Sequence, residues 1–464
     1  MNTSTAERSA PTAAPAAQTY DTQPAAARTR KRYLILAMLF IVTTINYADR
    51  ATLSIAGPVL SKELGIDAVT MGYIFSAFGW SYVLAQLPGG WLLDRFGSKM
   101  VYAGSIFLWS VFTVLQGGIH FITATAGSAV VVLFALRFLV GAAEAPSFPA
   151  NGRIVASWFP ANERGTASAI FNSAQYFATV LFAPLMGWIT HSFGWPAVFV
   201  VMGLLGIVIS FVWLKTVYTP SNHPSINKVE LNYIAAGGAL VNMDNPNTQS
   251  RSFAEPPRWG YVKQLLSNRM LMGVYIGQYC INTLTYFFLT WFPVYLVKER
   301  GMSILSAGFV AALPAICGFA GGVLGGLISD ALLRRGKSLT AARKTPIVIG
   351  MLLSTSMIIC NYVESAAVVV AIMSLAFFGK GLGALGWAVV SDTSPKEISG
   401  ISGALFNTFG NTAAITTPIV IGYLVKGMGS FSGALVFVAA NALVAVCCYL
   451  FVVGDIKRFE LKKD

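Results

Sequence analysis

Gly90-Trp-Leu-Leu-Asp94-Arg95-Phe-Gly97-Ser-Lys99 follows an apolar run at 71–93, and Gly326-Leu-Ile-Ser-Asp330 with Arg334-Arg335-Gly336 follows another at 304–329. Each stretch comes after the second of six apolar runs in its own half of the chain. Glycines permit a tight turn and a close approach of helices, and Asp94 near a helix start can hold a basic partner across the gap between helix ends. A charged pattern that recurs at the same place in two blocks of nearly equal length, 33–216 and 270–453, is an internal repeat. It arranges the apolar runs as two sets of six.

Those runs lie near 33–57, 71–93, 100–120, 128–149, 165–190, 195–216, 270–297, 304–329, 344–363, 367–391, 399–425 and 431–453. Each has roughly the 20 residues that a helix needs to cross a hydrocarbon core of about 30 Å. The expected fold is therefore all-α: twelve transmembrane helices in two pseudo-symmetric six-helix bundles, 33–216 and 270–453. Residues 1–32 are expected to form a disordered cytoplasmic tail, 217–269 a central cytoplasmic loop and 454–464 a cytoplasmic C-terminal tail. Repeats of this kind bind substrate between the halves near the bilayer midplane.

Composition excludes a soluble protein, because 55% of residues are hydrophobic and 11% charged, against about 25% charged in soluble domains. The Ala-, Thr-, Pro- and Gln-rich tail reads as unable to build a core. The first apolar run is too long for a cleaved signal and reads as an anchor that stays. All five cysteines fall within apolar runs, where they act as small packing residues.

A net charge of +13 would suit nucleic acid if it were spread over a surface, but its distribution follows the membrane instead. Of 32 Lys and Arg, 25 fall in segments on the N-terminal side of the membrane, and only Lys62, Lys298, Arg300 and Lys426 fall in loops on the other side. Basic residues accumulate on the cytoplasmic side. The expected setting is a bacterial inner membrane, with both termini cytoplasmic and a lipid bilayer rather than nucleic acid as the partner surface. The chain is expected to work as a monomer.

Five ionisable residues lie inside spans: Asp49 and Arg50 in the first, Arg137 and Glu144 in the fourth, Lys380 in the tenth. Each costs about 2.5–3.5 kcal/mol or more at a helix centre, so a function is the default expectation. A carboxylate in a low-dielectric cavity takes a proton readily, and a nearby arginine opposes this. An acid that alternates between arginine contact and isolation would bind and release a proton, which makes Asp49 and Glu144 candidates. Arg137, two turns before Glu144, is an available partner for an acid. Arg50 has a permanent charge and a planar fork suited to a carboxylate. Lys380 precedes Trp387 by seven residues, so a continuous helix would place both on one face, and this second cation suggests a second carboxylate on the substrate.

The stretches Asn46-Tyr47-Ala48-Asp49-Arg50-Ala51-Thr52, Glu144-Ala145-Pro146-Ser147-Phe148-Pro149, Phe171-Asn172-Ser173-Ala174-Gln175-Tyr176-Phe177 and Ala384-Leu385-Gly386-Trp387 carry a resemblance. Together with the Gly90–Lys99 loop, they resemble the anion:cation symporter branch of the major facilitator superfamily, and within it the glucarate/galactarate permeases. The resemblance implies the major facilitator fold and proton symport of hexarates, with Asp49 and Glu144 as protonation sites. It also implies a sugar-acid site that includes Tyr47, Arg50, Tyr82, Gln175, Trp387, Ser391 and Asn407, and a cytoplasmic gating loop of Gly90, Asp94, Arg95 and Gly97. Monoacid permeases of this branch carry a neutral residue where Lys380 stands, which points to a diacid. Protons would be the coupling ion, with no other cofactor.

Competing classes find little support. Ala331 occupies the first glycine position of what would otherwise resemble a phosphate loop ending at Gly336-Lys337-Ser338. His120, His191 and His223 show no metal-ligand spacing. The fifth run, Ala183-Pro184-Leu185-Met186-Gly187, lacks the glycine-rich pattern that resembles an antiporter signature. The remaining alternatives are a monoacid symporter and an anion exchanger.

Overall fold

The computed structural model describes residues 29–122, 125–160, 163–244, 259–395 and 398–461. Most of the expected N-terminal tail, central-loop residues 245–258 and the last three residues lie outside the described residues. All regular structure among the described residues is helical.

Among the described residues, twelve helices are long and apolar enough to cross a membrane. In chain order they are α1 (Lys31–Glu63), α2 (Ala68–Phe96), α3 (Ser98–Gly117), α4 (Ala126–Glu144 and Ser147–Trp158), α5 (Arg164–Phe193) and α6 (Trp195–Thr216). The second six are α7 (Arg269–Tyr286, a π-turn Phe287–Trp291 and Phe292–Lys298), α8 (Ile304–Arg334), α9 (Leu339–Ser354 and a 3₁₀ end Thr355–Tyr362), α10 (Ala366–Leu382 and Gly386–Thr393), α11 (Ser399–Met428) and α12 (Ser432–Cys447 and a π-turn Cys448–Val452). Their starts follow side-chain chemistry. Asp67, Thr125, Asn268, Ser303 and Ser338 each accept a hydrogen bond from a first-turn amide, satisfying donors that a helix start leaves open. Gly97 (φ +76°) turns the chain between α2 and α3, a backbone conformation that only glycine adopts without strain.

Packing repeats between the halves. In the first, α1 packs on α5, α2 on α4 and α3 on α6; in the second, α7 packs on α11, α8 on α10 and α9 on α12. The halves meet along α2–α11, α5–α8 and α1–α7. Twelve crossings return the chain to the side where it began, called here the terminal face.

The halves touch differently at the two faces. Near the opposite face, Lys426 Nζ lies 2.7 Å from Asp67 Oδ2, and the Tyr73 and Tyr423 hydroxyls lie 3.3 Å apart. A Cβ on Gly79 would come within 2.8 Å of Ala414, and one on Gly308 within 2.7 Å of the Ala183 carbonyl, so these glycines let the paired backbones touch. One apolar core joins both halves there through Phe75, Trp291 and Val294; a second, around Ile35, Tyr102, Trp158 and Trp213 toward the terminal face, belongs to the first half alone. These contacts join the halves at the opposite face. Lys426, followed by the Thr70 hydroxyl and amide, holds Asp67 at about 2, well below the usual carboxylate range. Its share of the closure is therefore present above about pH 4 and is lost only as pH falls toward 2.

At the terminal face, the helix Lys228–Ala236 of the central loop docks on the start of α1. Glu230 is fully buried and accepts hydrogen bonds from the Thr29 hydroxyl (2.6 Å), the Lys31 and Arg32 amides (2.8 and 3.2 Å) and the Arg32 guanidinium (3.3 Å). Burial acts to raise its pKa, but these donors outweigh burial and lower it. A carboxylate on exposed first-turn amides is the favourable arrangement at a helix start.

If the glycine contacts hold the opposite face shut, Gly79→Leu will separate α2 from α11. In a background free of native cysteine, labelling of Ile55→Cys by a membrane-impermeant maleimide added at the opposite face should rise. Unchanged labelling would remove the seam from the closure.

Candidate functional site

The buried charges form two pairs across helices. Arg50 Nε on α1 donates to Glu144 Oε2 on α4 at 2.8 Å. Arg137 Nη2 donates to the Arg50 backbone carbonyl at 2.8 Å, and its Nη1 lies 4.0 Å from Asp49 Oδ2. Arg137 thus serves Asp49 and the α1 backbone, leaving Glu144, the acid on its own helix, to Arg50. All four residues are at most 6% exposed. Removing one member of such a pair strands a charge in low dielectric, which is far more costly than removing both.

The pairs are incompletely satisfied. Arg50 Nη2, Glu144 Oε1, Asp49 Oδ2 and Arg137 Nε are buried without a hydrogen-bond partner in the protein. The Arg50 guanidinium instead faces the rings of Phe78 (4.7 Å), Tyr47 (4.9 Å) and Tyr82 (5.0 Å), which stabilise the cation while leaving its spare donor available. Thr113 on α3 faces Asp49, a neighbour with no distinguishing signal in the sequence.

Arg50 also lines a cavity of about 590 Å³ between the halves. Of the expected contact residues, Tyr47, Arg50, Tyr82 and Gln175 line it from the first half and Lys380, Trp387 and Asn407 from the second. Asp49, Arg137 and Glu144 lie behind Arg50 rather than in the wall. Ser391 is not in the lining; it is exposed, and its carbonyl accepts from Arg458 Nη2 at 3.3 Å.

The tenth span is broken: α10 stops at Leu382 and restarts at Gly386. Gly379 and Gly381 pack directly on the carbonyls of Gly350 and Gly318, where a Cβ would clash. Lys380, between them, reaches the cavity 5.1 Å from the Phe377 ring and 5.6 Å from that of Tyr176. Among the described residues no carboxylate pairs with it. Lys380 and Trp387 both line the cavity, but from two helical segments rather than the single face expected of a continuous helix.

Several lining residues were absent from the sequence reading. Gln278, Asn282 and Tyr286 recur every four residues on α7, and Asn407 and Asn411 are four apart on α11, a spacing that puts each set on one helix face. Tyr286, Asn411 and Asn407 form a hydrogen-bonded chain: Tyr286 Oη donates to Asn411 Oδ1 (3.0 Å), Asn411 Nδ2 to Asn407 Oδ1 (3.0 Å), and Asn407 Nδ2 to Gln86 Oε1 across the halves (3.2 Å). The period was visible in the sequence and was the missed signal.

In the loop after α2, Asp94 sits in the last turn of α2 rather than near a helix start, and pairs with Arg153 of α4. Asp244, from the central loop, binds Arg153 at 2.9 Å and accepts from the Ser98 amide that opens α3. Arg95 lies over Trp91 and Phe96, 5.4 and 5.7 Å from their rings. Gly97 makes the turn, whereas a Cβ on Gly90 would meet nothing within 4 Å; the close approach falls on Gly89, against Pro146.

The sequence model of the Major Facilitator Superfamily matches residues 39–342. The chain belongs to that superfamily. It is 68% identical over 441 residues to the probable galactarate/D-glucarate transporter GudP of Bacillus subtilis (strain 168), covering 95% of this chain and 96% of that protein. With the probable galactarate/D-glucarate transporter GarP of Escherichia coli (strain K12) it shares 61% identity over 433 residues, 93% of this chain and 97% of the relative. A bacterial homologue of the human lysosomal transporter Spinster, solved in an inward-facing and occupied conformation, has the same fold, with a TM-score of 0.70 at 15% identity over 92% of this chain and 97% of that one. As a superfamily member the protein is a membrane transporter, not an enzyme.

In this facilitator, Glu144→Ala should lower stability by about 3 kcal/mol or more, since it strands the Arg50 charge. Glu144→Gln, which keeps an acceptor for Arg50, should lose distinctly less. Thermal unfolding of detergent-purified protein measures both, and equal losses would contradict the pairing.

Proposed function

We propose that the protein is a proton-coupled symporter that imports a sugar-acid dianion, galactarate or D-glucarate, across the bacterial inner membrane as a monomer. The carrying observation is a cavity with a cation on each wall: Arg50, whose partner Glu144 is buried behind it, and Lys380, which pairs with no described carboxylate. A six-carbon diacid has a carboxylate for each. The amides of Gln175, Gln278, Asn282, Asn407 and Asn411 supply donors and acceptors for its hydroxyls, and Trp387 can cover an apolar edge. The strong likeness to GudP and GarP supports the same substrate class.

Coupling follows from competition for Arg50. A substrate carboxylate that engages the arginine weakens its hold on Glu144, and an ionised carboxylate without its partner is disfavoured in that buried position. Glu144 then takes a proton, so binding of anion and proton favour each other. Asp49, with Arg137, is the second candidate carrier. The distribution of Lys and Arg supports a cytoplasmic terminal face, and on that reading the halves are joined at the periplasmic face, which supports an inward-facing state.

Purified protein in liposomes should accumulate galactarate or D-glucarate under an inward proton gradient, with proton flux accompanying uptake. Asp49→Asn or Glu144→Gln should abolish gradient-driven accumulation. Uptake indifferent to the gradient would overturn the mechanism, and exchange without proton flux would mark an anion exchanger.

Lys380→Asn should weaken diacid binding by roughly 10- to 100-fold, as expected for loss of a charge-assisted contact. Binding of a monoacid such as galactonate should change much less. Equal losses in a binding titration of both substrates would remove Lys380 from the carboxylate site.

A further inference from the structure

Behind the cavity wall, α1 and α4 run antiparallel and face each other with polar residues at matched levels. Arg50 meets Glu144 and Thr43 meets Asn151; between them, a turn apart at each step, come Asn46 on α1 and Ser147 on α4. The first rung is closed by the 2.8 Å ion pair and the third by Asn151 Nδ2 donating to Thr43 Oγ1 at 3.1 Å. The middle rung is open: both polar atoms of the Asn46 amide and the Ser147 hydroxyl are buried without a partner. Glu144 Oε1 on one side and Asn151 Oδ1 on the other are equally unpartnered. Tyr102 of α3 brings its hydroxyl to face Thr43 and Asn151 without completing a hydrogen bond to either. Apart from Arg50, at 6%, each of these residues is at most 1% exposed.

So many buried polar atoms without partners in one column is unusual, and ordered water is the ordinary way such groups are satisfied. The backbone adds to the column. Pro146 and Pro149 have no N–H to return to the carbonyls of Ala142 and Ala145, which therefore lack their usual i+4 donor. The column is screened from the substrate cavity by aromatic rings: Tyr47 and Phe171 flank Phe148 at 6.0 and 6.4 Å, and all three line the cavity. At its far end, Tyr102 is one turn from Ser98, whose hydroxyl accepts from Arg153 Nε at 3.4 Å. Arg153 in turn meets Asp94, which is exposed at the terminal face.

We infer that this column is a hydrated proton path, separate from the substrate cavity, joining Glu144 to the terminal face through Asn46, Ser147, Thr43, Asn151 and Tyr102. The inference rests on the proton-coupled reading above. The proton leaves the Glu144 carboxyl, each water or hydroxyl along the column accepts one proton and passes on another, and one proton emerges at the terminal face. Glu144 is left ionised beside Arg50 and no other bond changes. The two asparagines cannot relay; they position the water. A separate path lets the proton depart while substrate still fills the cavity.

The test compares two transport modes in liposomes. Asn46→Leu and Asn151→Leu fill the column with apolar atoms. They should slow gradient-driven galactarate or D-glucarate uptake about tenfold, equivalent to about 1.4 kcal/mol on the rate-limiting step. Exchange of labelled for unlabelled substrate at equal pH, which needs no net proton release, should stay within about twofold of wild type. Asn46→Ser and Asn151→Ser, which keep a polar group, should restore uptake. Ser147→Ala adds no volume and keeps the test alive if the leucine variants fail to reach the membrane; it too should slow uptake but not exchange. Uptake and exchange falling in parallel, or uptake unchanged, would overturn the path. Wild-type transport without proton flux would instead overturn the coupling reading, and that is seen before any variant is compared.

Discussion

The contact between Arg50 and Glu144 is the constraint around which the first half is arranged. Neither charge can be left alone at that depth, so α1 and α4 are held in a register that keeps the guanidinium and carboxylate 2.8 Å apart. That register sets the level of Thr43 against Asn151, with Asn46 and Ser147 in between. It also turns the Arg50 fork toward the cavity with one donor unused. A fully satisfied pair would be inert, and a broken one would be costly. A pair held through a single nitrogen can exchange one partner for another.

The second half meets this arrangement with a different device. Its one buried cation among the described residues, Lys380, is delivered by a helix that glycines bring against two neighbouring backbones and then interrupt. An unwound turn is tolerated at membrane depth when it lines a cavity rather than lipid. The closed seam of α2 and α11 completes the geometry. It joins the halves at the opposite face and runs inward as far as the Gln86–Asn407 bridge at the cavity, so the cavity floor and the amide chain belong to one continuous contact.

Much of this was legible in the residues. Twelve apolar runs, their division by the Gly90 and Gly326 stretches, and the five charges inside spans are one-dimensional signals, because crossing a bilayer demands length and apolarity that no tertiary contact can supply. Seven of the eight expected contact residues share the cavity. Ser391, expected only from the family resemblance, does not; the continuous tenth helix expected to carry Lys380 and Trp387 on one face is instead broken, beside backbone contacts with α8 and α9 that are distant in sequence. Gln278, Asn282, Tyr286 and Asn411 were passed over although their four-residue spacing was plain.

The repeat that opens at Gly90 and the buried charges could thus be read without coordinates, since each is a local departure from what lipid permits. Which acid holds which arginine could not. Arg137 stands two turns from Glu144 on one helix, yet the structure gives Glu144 to Arg50 and turns Arg137 toward Asp49. Pairing of buried charges is set by distances of a few ångströms between helices, and those are decided only when helices far apart in the chain pack together.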